Sequence, residues 1–153
     1  MPVRKLKEFL TTHDVPYESI THAQTFTAGE TAQAAHVKGR EMAKVVLVKC
    51  DGKMCMAVVP AHYHVDLDRL KEITGAQSIQ LAEEKEFEAL FPECDIGAMP
   101  PFGNLYGMDV FVEQELAEDE AIAFNAGTHT EVIKMAYGDF ERLVKPNLGS
   151  FAS

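Results

Sequence analysis

Val3, Leu6, Phe9 and Leu10 recur at three- and four-residue intervals, which predicts an amphipathic helix over residues 3–13. Pro16 then favours an extended run through Tyr17-Glu18-Ser19-Ile20. Thr27-Ala28-Gly29-Glu30 has the spacing of a capping box ahead of Thr31-Ala32-Gln33-Ala34-Ala35, so a short helix ending near Gly39 is predicted. Lys44 opens the β-branched run Val45-Val46-Leu47-Val48, and Met54 to Val59 is a second apolar run. Asp51-Gly52 lies between them as a turn, so residues 44–60 read as a hairpin. Asp66 is placed to cap a helix over Leu67–Thr74, with Gly75 as its stop.

Further along, Ser78 to Leu81 alternates like a short strand, and Glu83 to Phe91 is helical in pattern until Pro92. Ile96 to Gly107 holds Gly97, Pro100, Pro101, Gly103 and Gly107, the composition of a stiff, structured loop. Strands are predicted at Met108–Val112, Ala121–Phe124 and Thr130–Met135, the last two joined by a turn over Asn125 to His129. A helix at Asp139–Val144 precedes a tail from Pro146 to Ser153. The order of elements predicts one α+β domain over residues 1–153, with a central mixed, largely antiparallel β-sheet surrounded by helices.

Composition agrees with one core. The chain has 153 residues, 46% hydrophobic and 25% charged, enough to fold without a metal or disulfide framework. No run approaches the ~18 apolar residues of a membrane span, and three cysteines, Cys50, Cys55 and Cys94, suit reduced thiols in the cytoplasm. The net charge of −10 argues against a nucleic-acid partner until its distribution is read. The first sixty residues carry eight Lys and Arg against six Asp and Glu; the remainder carries six against eighteen. The acidic stretches Glu83–Glu88 and Glu113–Glu120 read as solvated faces.

Three places could carry chemistry. Lys44, at the mouth of an apolar strand, is either a partly desolvated cation or a side chain snorkelling at a strand end. The loop Gly97 to Gly103 is either a rigid connection or a set of preorganised backbone donors for an oxygen. Gly127-Thr128-His129 sets a histidine on a turn, where surface histidines are common but functional ones also gather. His62 and His64 share one side of an extended segment, yet no third ligand stands at a fixed short spacing, so no metal or other cofactor is expected. Dinucleotide, P-loop, serine-hydrolase and zinc-peptidase signatures are missing from the sequence.

Taken in order, the capping-box helix at Thr27–Glu30, Lys44 before its strand, the Gly97-to-Gly103 loop and the Gly127-x-His129 turn resemble the YbaK/ProX family. These are freestanding aminoacyl-tRNA deacylases whose domain also edits mischarged tRNA within bacterial prolyl-tRNA synthetases. The resemblance runs from about residue 3 to residue 145. It implies hydrolysis of the ester between a wrong amino acid and the 3′ end of a tRNA, commonly that for proline. Lys44 matches the family's essential lysine; Gly97, Pro101 and Gly103 match the loop lining the aminoacyl pocket; Gly127 and His129 match the late glycine turn. The histidine is similar to the alanine-clearing branch. Val132 stands where the cysteine-clearing branch has an aspartate.

The expected activity is therefore trans-editing of a tRNA carrying a small amino acid such as alanine, with the acceptor end and an aminoacyl-tRNA synthetase as partners. Backbone donors of the loop would stabilise the oxyanion, and Lys44 would hold the phosphate or ribose of the terminal adenosine. No Ser-His-Asp set is recognisable, so water or a substrate group would attack without an acyl-enzyme. Two rival readings stay open: a module that binds charged adenosine without hydrolysing it, and a hydrolase of other acyl esters or thioesters.

Overall fold

The hairpin that the apolar runs predict forms from β2 (Ala43–Cys50) and β3 (Lys53–Pro60), antiparallel with Lys44 opposite Val59. Its turn needs two left-handed residues, Asp51 at φ 52° and Gly52 at φ 82°. The Asp51 carboxylate accepts hydrogen bonds from the Gln77 and Ser78 backbone, at 3.0 and 2.9 Å, and so fastens the next strand, β4 (Ile79–Leu81), beside β2. The computed structural model describes residues 4–21, 41–90, 94, 98–128 and 130–153. The helix predicted after Thr27 lies outside the described residues, as do Gly97 and His129.

Around the hairpin the chain builds two sheets. In the five-stranded sheet β4-β2-β3-β5-β8, β5 (Asp109–Glu113) lies parallel to β3, and β8 (Asn147–Gly149) lies parallel to β5. The three-stranded sheet β1-β7-β6 is antiparallel throughout, from β1 (Tyr17–Thr21), β7 (Glu131–Ala136) and β6 (Ala121–Asn125). A parallel bridge between Met42 and Ala123 joins the two sheets where β2 begins.

α1 (Arg4–Thr12) buries Leu6 and Leu10, two positions of the predicted stripe, against a core that both sheets share. Leu47, Met56, Val58, Val110 and Val112 come to this core from the large sheet, and Ile122, Phe124, Ile133 and Met135 from the small one. α4 (Tyr137–Val144) closes it with Phe140 and Val144. The opposite face of β3, with Cys55, Ala57 and Val59, packs beneath Leu70 of α2 (Leu67–Thr74). A strand buried on both faces explains why residues 54–59 are apolar without alternation. α2 begins and ends as predicted. The Asp66 carboxylate accepts from the Asp68 and Arg69 backbone at 3.0 and 3.2 Å, and Gly75 terminates the helix at φ 73°. The helical stretch after Glu83 is short: α3 (Glu84–Phe87) passes into a 3-10 turn over Glu88–Leu90.

Two expectations need correction. Pro146 to Ser153 is no loose tail, because it contributes β8 and buries Phe151 and Ala152. The stretch Glu113–Glu120 is not wholly a solvated face either. Glu115, Glu118 and Glu120 are exposed, but Leu116 and Glu113 are each 1% exposed. One oxygen of Glu113 accepts the backbone N–H groups of Phe151 and Ala152, at 2.8 and 2.9 Å. Two buried donors without a strand partner need an acceptor, and the carboxylate provides it. Among the described residues no helix is long and apolar enough to cross a membrane.

Candidate functional site

Lys44 is the second residue of β2, at the junction of the two sheets, and it is half-buried. Burial pushes its amine below the ordinary lysine value. The other lysines within described strands are neutralised: Lys49 by Glu86 at 2.6 Å, Lys53 by Asp109 at 3.8 Å and Lys134 by Glu41 at 3.7 Å. Among the described residues no carboxylate forms an ion pair with Lys44. A partly desolvated cation without a fixed counter-charge is poised to accept an anionic or strongly polar ligand group.

The Met42–Ala123 bridge sets the direction in which β2 and β6 run side by side. Lys44 follows that bridge by two residues along its chain segment, and Asn125, the last residue of β6, follows it by two along the other. From there the chain turns. Gly127 adopts φ 94°, a conformation that side-chain-bearing residues avoid, and its N–H donates to the Ala98 carbonyl at 2.9 Å. That bond ties the late turn to the proline-rich loop. Ala126 N–H donates to Glu131 at 3.0 Å and starts the return into β7.

The loop itself is anchored from inside. Ala98, Met99, Pro100, Pro101, Phe102 and Gly103 are all buried. The Phe102 ring lies 6.2 Å from Phe9, 5.6 Å from Phe124 and 5.4 Å from Phe140, between α1, β6 and α4. Gly103 is glycine for packing: a Cβ there would stand 2.7 Å from Val110 Cγ2 and 3.2 Å from the Met108 carbonyl. Its own carbonyl accepts the Met108 N–H at 2.9 Å, closing the 3-10 turn Gly103–Tyr106.

Thus Gly127 is joined directly to the loop that holds Pro101 and Gly103, while Lys44 stands two residues after the bridge to β6, the strand that leads into the same turn. Gly97 and His129 lie outside the described residues. Sequence reasoning missed Phe102 as the loop's anchor, though an aromatic between Pro101 and Gly103 is the signal that marks it. It also missed Asn125, which is 8% exposed and whose buried Oδ1 has no hydrogen-bond partner among the described residues. Neither cysteine pair chemistry nor metal chemistry gathers here. Cys50 and Cys55 lie in the hairpin far from the turn in sequence, and burial pushes the Cys55 thiol up to about 12, which leaves it protonated and inert. Among the described residues no three His, Cys, Asp or Glu side chains converge as a metal site would require.

The chain matches no curated protein. Among solved structures it superimposes on the hypothetical protein APE2540 with a TM-score of 0.87 at 17% identity, covering 98% of this chain and 100% of that one. A structure assigned as a candidate trans-editing enzyme for prolyl-tRNA synthetase gives a TM-score of 0.85 at 18% identity, covering 99% and 97% of the two chains. In a candidate signal transduction protein from Marinobacter aquaeolei VT8, 97% of this chain matches 30% of the longer one, with a TM-score of 0.75 at 18% identity. Identities this low establish the fold alone. The sequence itself goes further: it fits the aminoacyl-tRNA editing domain over residues 22–143, which span Lys44, the proline-rich loop and the glycine turn, and the chain therefore belongs to that family.

Proposed function

We propose that the chain is a trans-editing aminoacyl-tRNA deacylase, removing a small amino acid such as alanine from a mischarged tRNA for proline. The observation that carries this reading is Lys44, a half-buried cation with no ion-pair partner among the described residues, two residues after the bridge to β6, whose glycine turn is bonded to the proline-rich loop. Family membership supports the class of substrate. The structural likeness to the candidate prolyl trans-editing enzyme agrees with the fold it requires.

In this reading Lys44 holds the ribose or phosphate of the terminal adenosine and fixes the ester near the loop. Water adds to the ester carbonyl, and backbone N–H groups of the loop that Gly97, Pro101 and Gly103 shape stabilise the negative oxygen that develops. Collapse breaks the acyl–oxygen bond, returns a proton to the ribose oxygen and releases free amino acid and tRNA. No acyl-enzyme forms. Gly127 and His129 border the amino acid and, with the loop, exclude the larger correct one by size, since apolar contacts alone discriminate by only about 1–3 kcal/mol. The net charge of −10 makes tRNA binding modest and salt-sensitive, so a synthetase or the cationic residues Lys38, Arg40 and Lys44, close in sequence, assist delivery.

Deacylation of alanyl-, seryl- and cysteinyl-tRNA bearing the proline anticodon, beside each cognate tRNA, tests the proposal. Loss of one small amino acid, abolished in Lys44→Ala, is the expected result. Binding of the charged end without hydrolysis would replace the enzyme with a binding module. Hydrolysis of acyl-thioesters alone would make it another esterase, and tight binding to any RNA at physiological salt would remove the need for assisted delivery.

A further inference from the structure

Asn125 ends β6 on the same face of the small sheet as Ala123, opposite Val132 and two residues before Gly127; Ala123 is bridged to Met42, two residues before Lys44. It is more than nine-tenths buried, and among the described residues Oδ1 has no hydrogen-bond partner. Buried amides in folded proteins are nearly always satisfied, and an orphaned acceptor costs the free protein stability. Glu41, the other buried acidic or amide group with an orphaned oxygen, has at least the Lys134 ammonium 3.7 Å away to offset its charge. Asn125 has no such compensation. A buried, unsatisfied amide two residues before the glycine turn, at the end of the strand bridged to the segment that leads into Lys44, has the character of a group whose partner arrives with the ligand.

We infer that Asn125 is a positioning and specificity residue whose amide accepts a hydrogen bond from an N–H or O–H donor at the aminoacyl-adenosine end. The inference rests on the editing reading of the site. Two groups of that end can donate: the amine of the amino acid and the hydroxyl of the terminal ribose next to the ester. A carboxamide accepts from either donor without itself adding a charge beside the ligand. A ligand lacking the donor leaves the acceptor buried and unpaired, which is how a polar group discriminates more sharply than an apolar wall.

The test uses the whole chain and a stable probe, alanyl-adenosine with an amide replacing the ester, so that binding is read without hydrolysis. Asn125→Leu keeps the branched outline, at a somewhat larger volume, and removes the polar atoms. The expected outcome is a variant whose melting temperature equals or exceeds that of the parent, yet whose affinity for the probe falls about tenfold. Two further probes locate the donor: one without the amine, one without the neighbouring ribose hydroxyl. If the amine is the donor, the parent's preference for the aminated probe vanishes in Asn125→Leu; if the hydroxyl is the donor, the other preference vanishes instead. A variant that melts lower and binds all probes as the parent does shows an amide satisfied within the protein and overturns the assignment. So does loss of affinity with both preferences intact. Asn125→Asp separates shape from hydrogen bonding if Asn125→Leu does not fold: retained preferences there uphold an acceptor role, and lost ones refute it. If the parent binds none of the probes, the editing reading itself falls.

Discussion

Removing the Glu113 carboxylate should unlock the C-terminal segment and cost a large part of the stability of the fold. The Glu113 side chain accepts the Phe151 and Ala152 N–H groups at 2.8 and 2.9 Å, and its second oxygen accepts Glu115 N–H at 3.4 Å. Hydrogen bonds to a charged acceptor are worth about 1.5–3 kcal/mol each, and the two short ones are fully buried. Glu113→Ala leaves both donors unpaired and a cavity behind them, so the expected loss is about 3–5 kcal/mol. For a domain of this size each kcal/mol corresponds to about 2–4 °C, which predicts a fall of roughly 6–20 °C in melting temperature. Glu113→Gln keeps an acceptor oxygen and should cost about 1 kcal/mol. Urea denaturation followed by circular dichroism gives the free energies, and hydrogen exchange at Phe151 and Ala152 shows whether the loss is local. An Ala variant within about 0.5 kcal/mol of the parent, with those two amides still protected, would refute the account of how the segment is held.

Three further outcomes are expected. Gly127→Ala forces a side chain into φ 94° and should cost about 1–3 kcal/mol, with a larger proportional loss of deacylation than Gly103→Ala causes at equal stability; equal activity losses would unlink the turn from the site. Burial lowers the Lys44 pKa in the folded state, so the unfolded chain binds more protons there and this residue's contribution to stability rises as pH climbs through the folded value towards the unfolded one. Lys44→Met should therefore abolish turnover, melt no lower than the parent at neutral pH, and flatten the alkaline part of the stability curve; a destabilised Met variant would contradict the picture of a desolvated, unpaired cation. Cys55, its thiol held near 12, should resist iodoacetamide at pH 8 until the protein unfolds, and rapid native-state labelling would show the hairpin opening.

Local signals were read correctly where the physics is local. Asp66 and Gly75 delimit α2 because a cap and a left-handed stop act within one turn of helix. Asp51-Gly52 sets the β2–β3 hairpin because only such residues take its dihedrals cheaply. The order of Lys44, the proline-rich loop and the glycine turn was likewise enough to suggest the family before any coordinates. Charge reading was weaker. Glu113 sits among exposed acids and shares their composition, and nothing within its own stretch reveals that two N–H groups almost forty residues later require it.

What the sequence determined by itself was thus the elements, their caps and the residue types available for chemistry, since each depends on neighbours within a few positions. What only the tertiary structure decided was which of them meet. The parallel bridge from Met42 to Ala123 brings the start of β2 beside the middle of β6, the Gly127 N–H finds the Ala98 carbonyl, and Phe102 locks the loop among three other elements. Parallel pairing of β3 with β5 and of β5 with β8 was equally hidden. Such contacts have no sequence period, because they are selected by burial of shared apolar surface and by the need of each buried donor and acceptor for a partner.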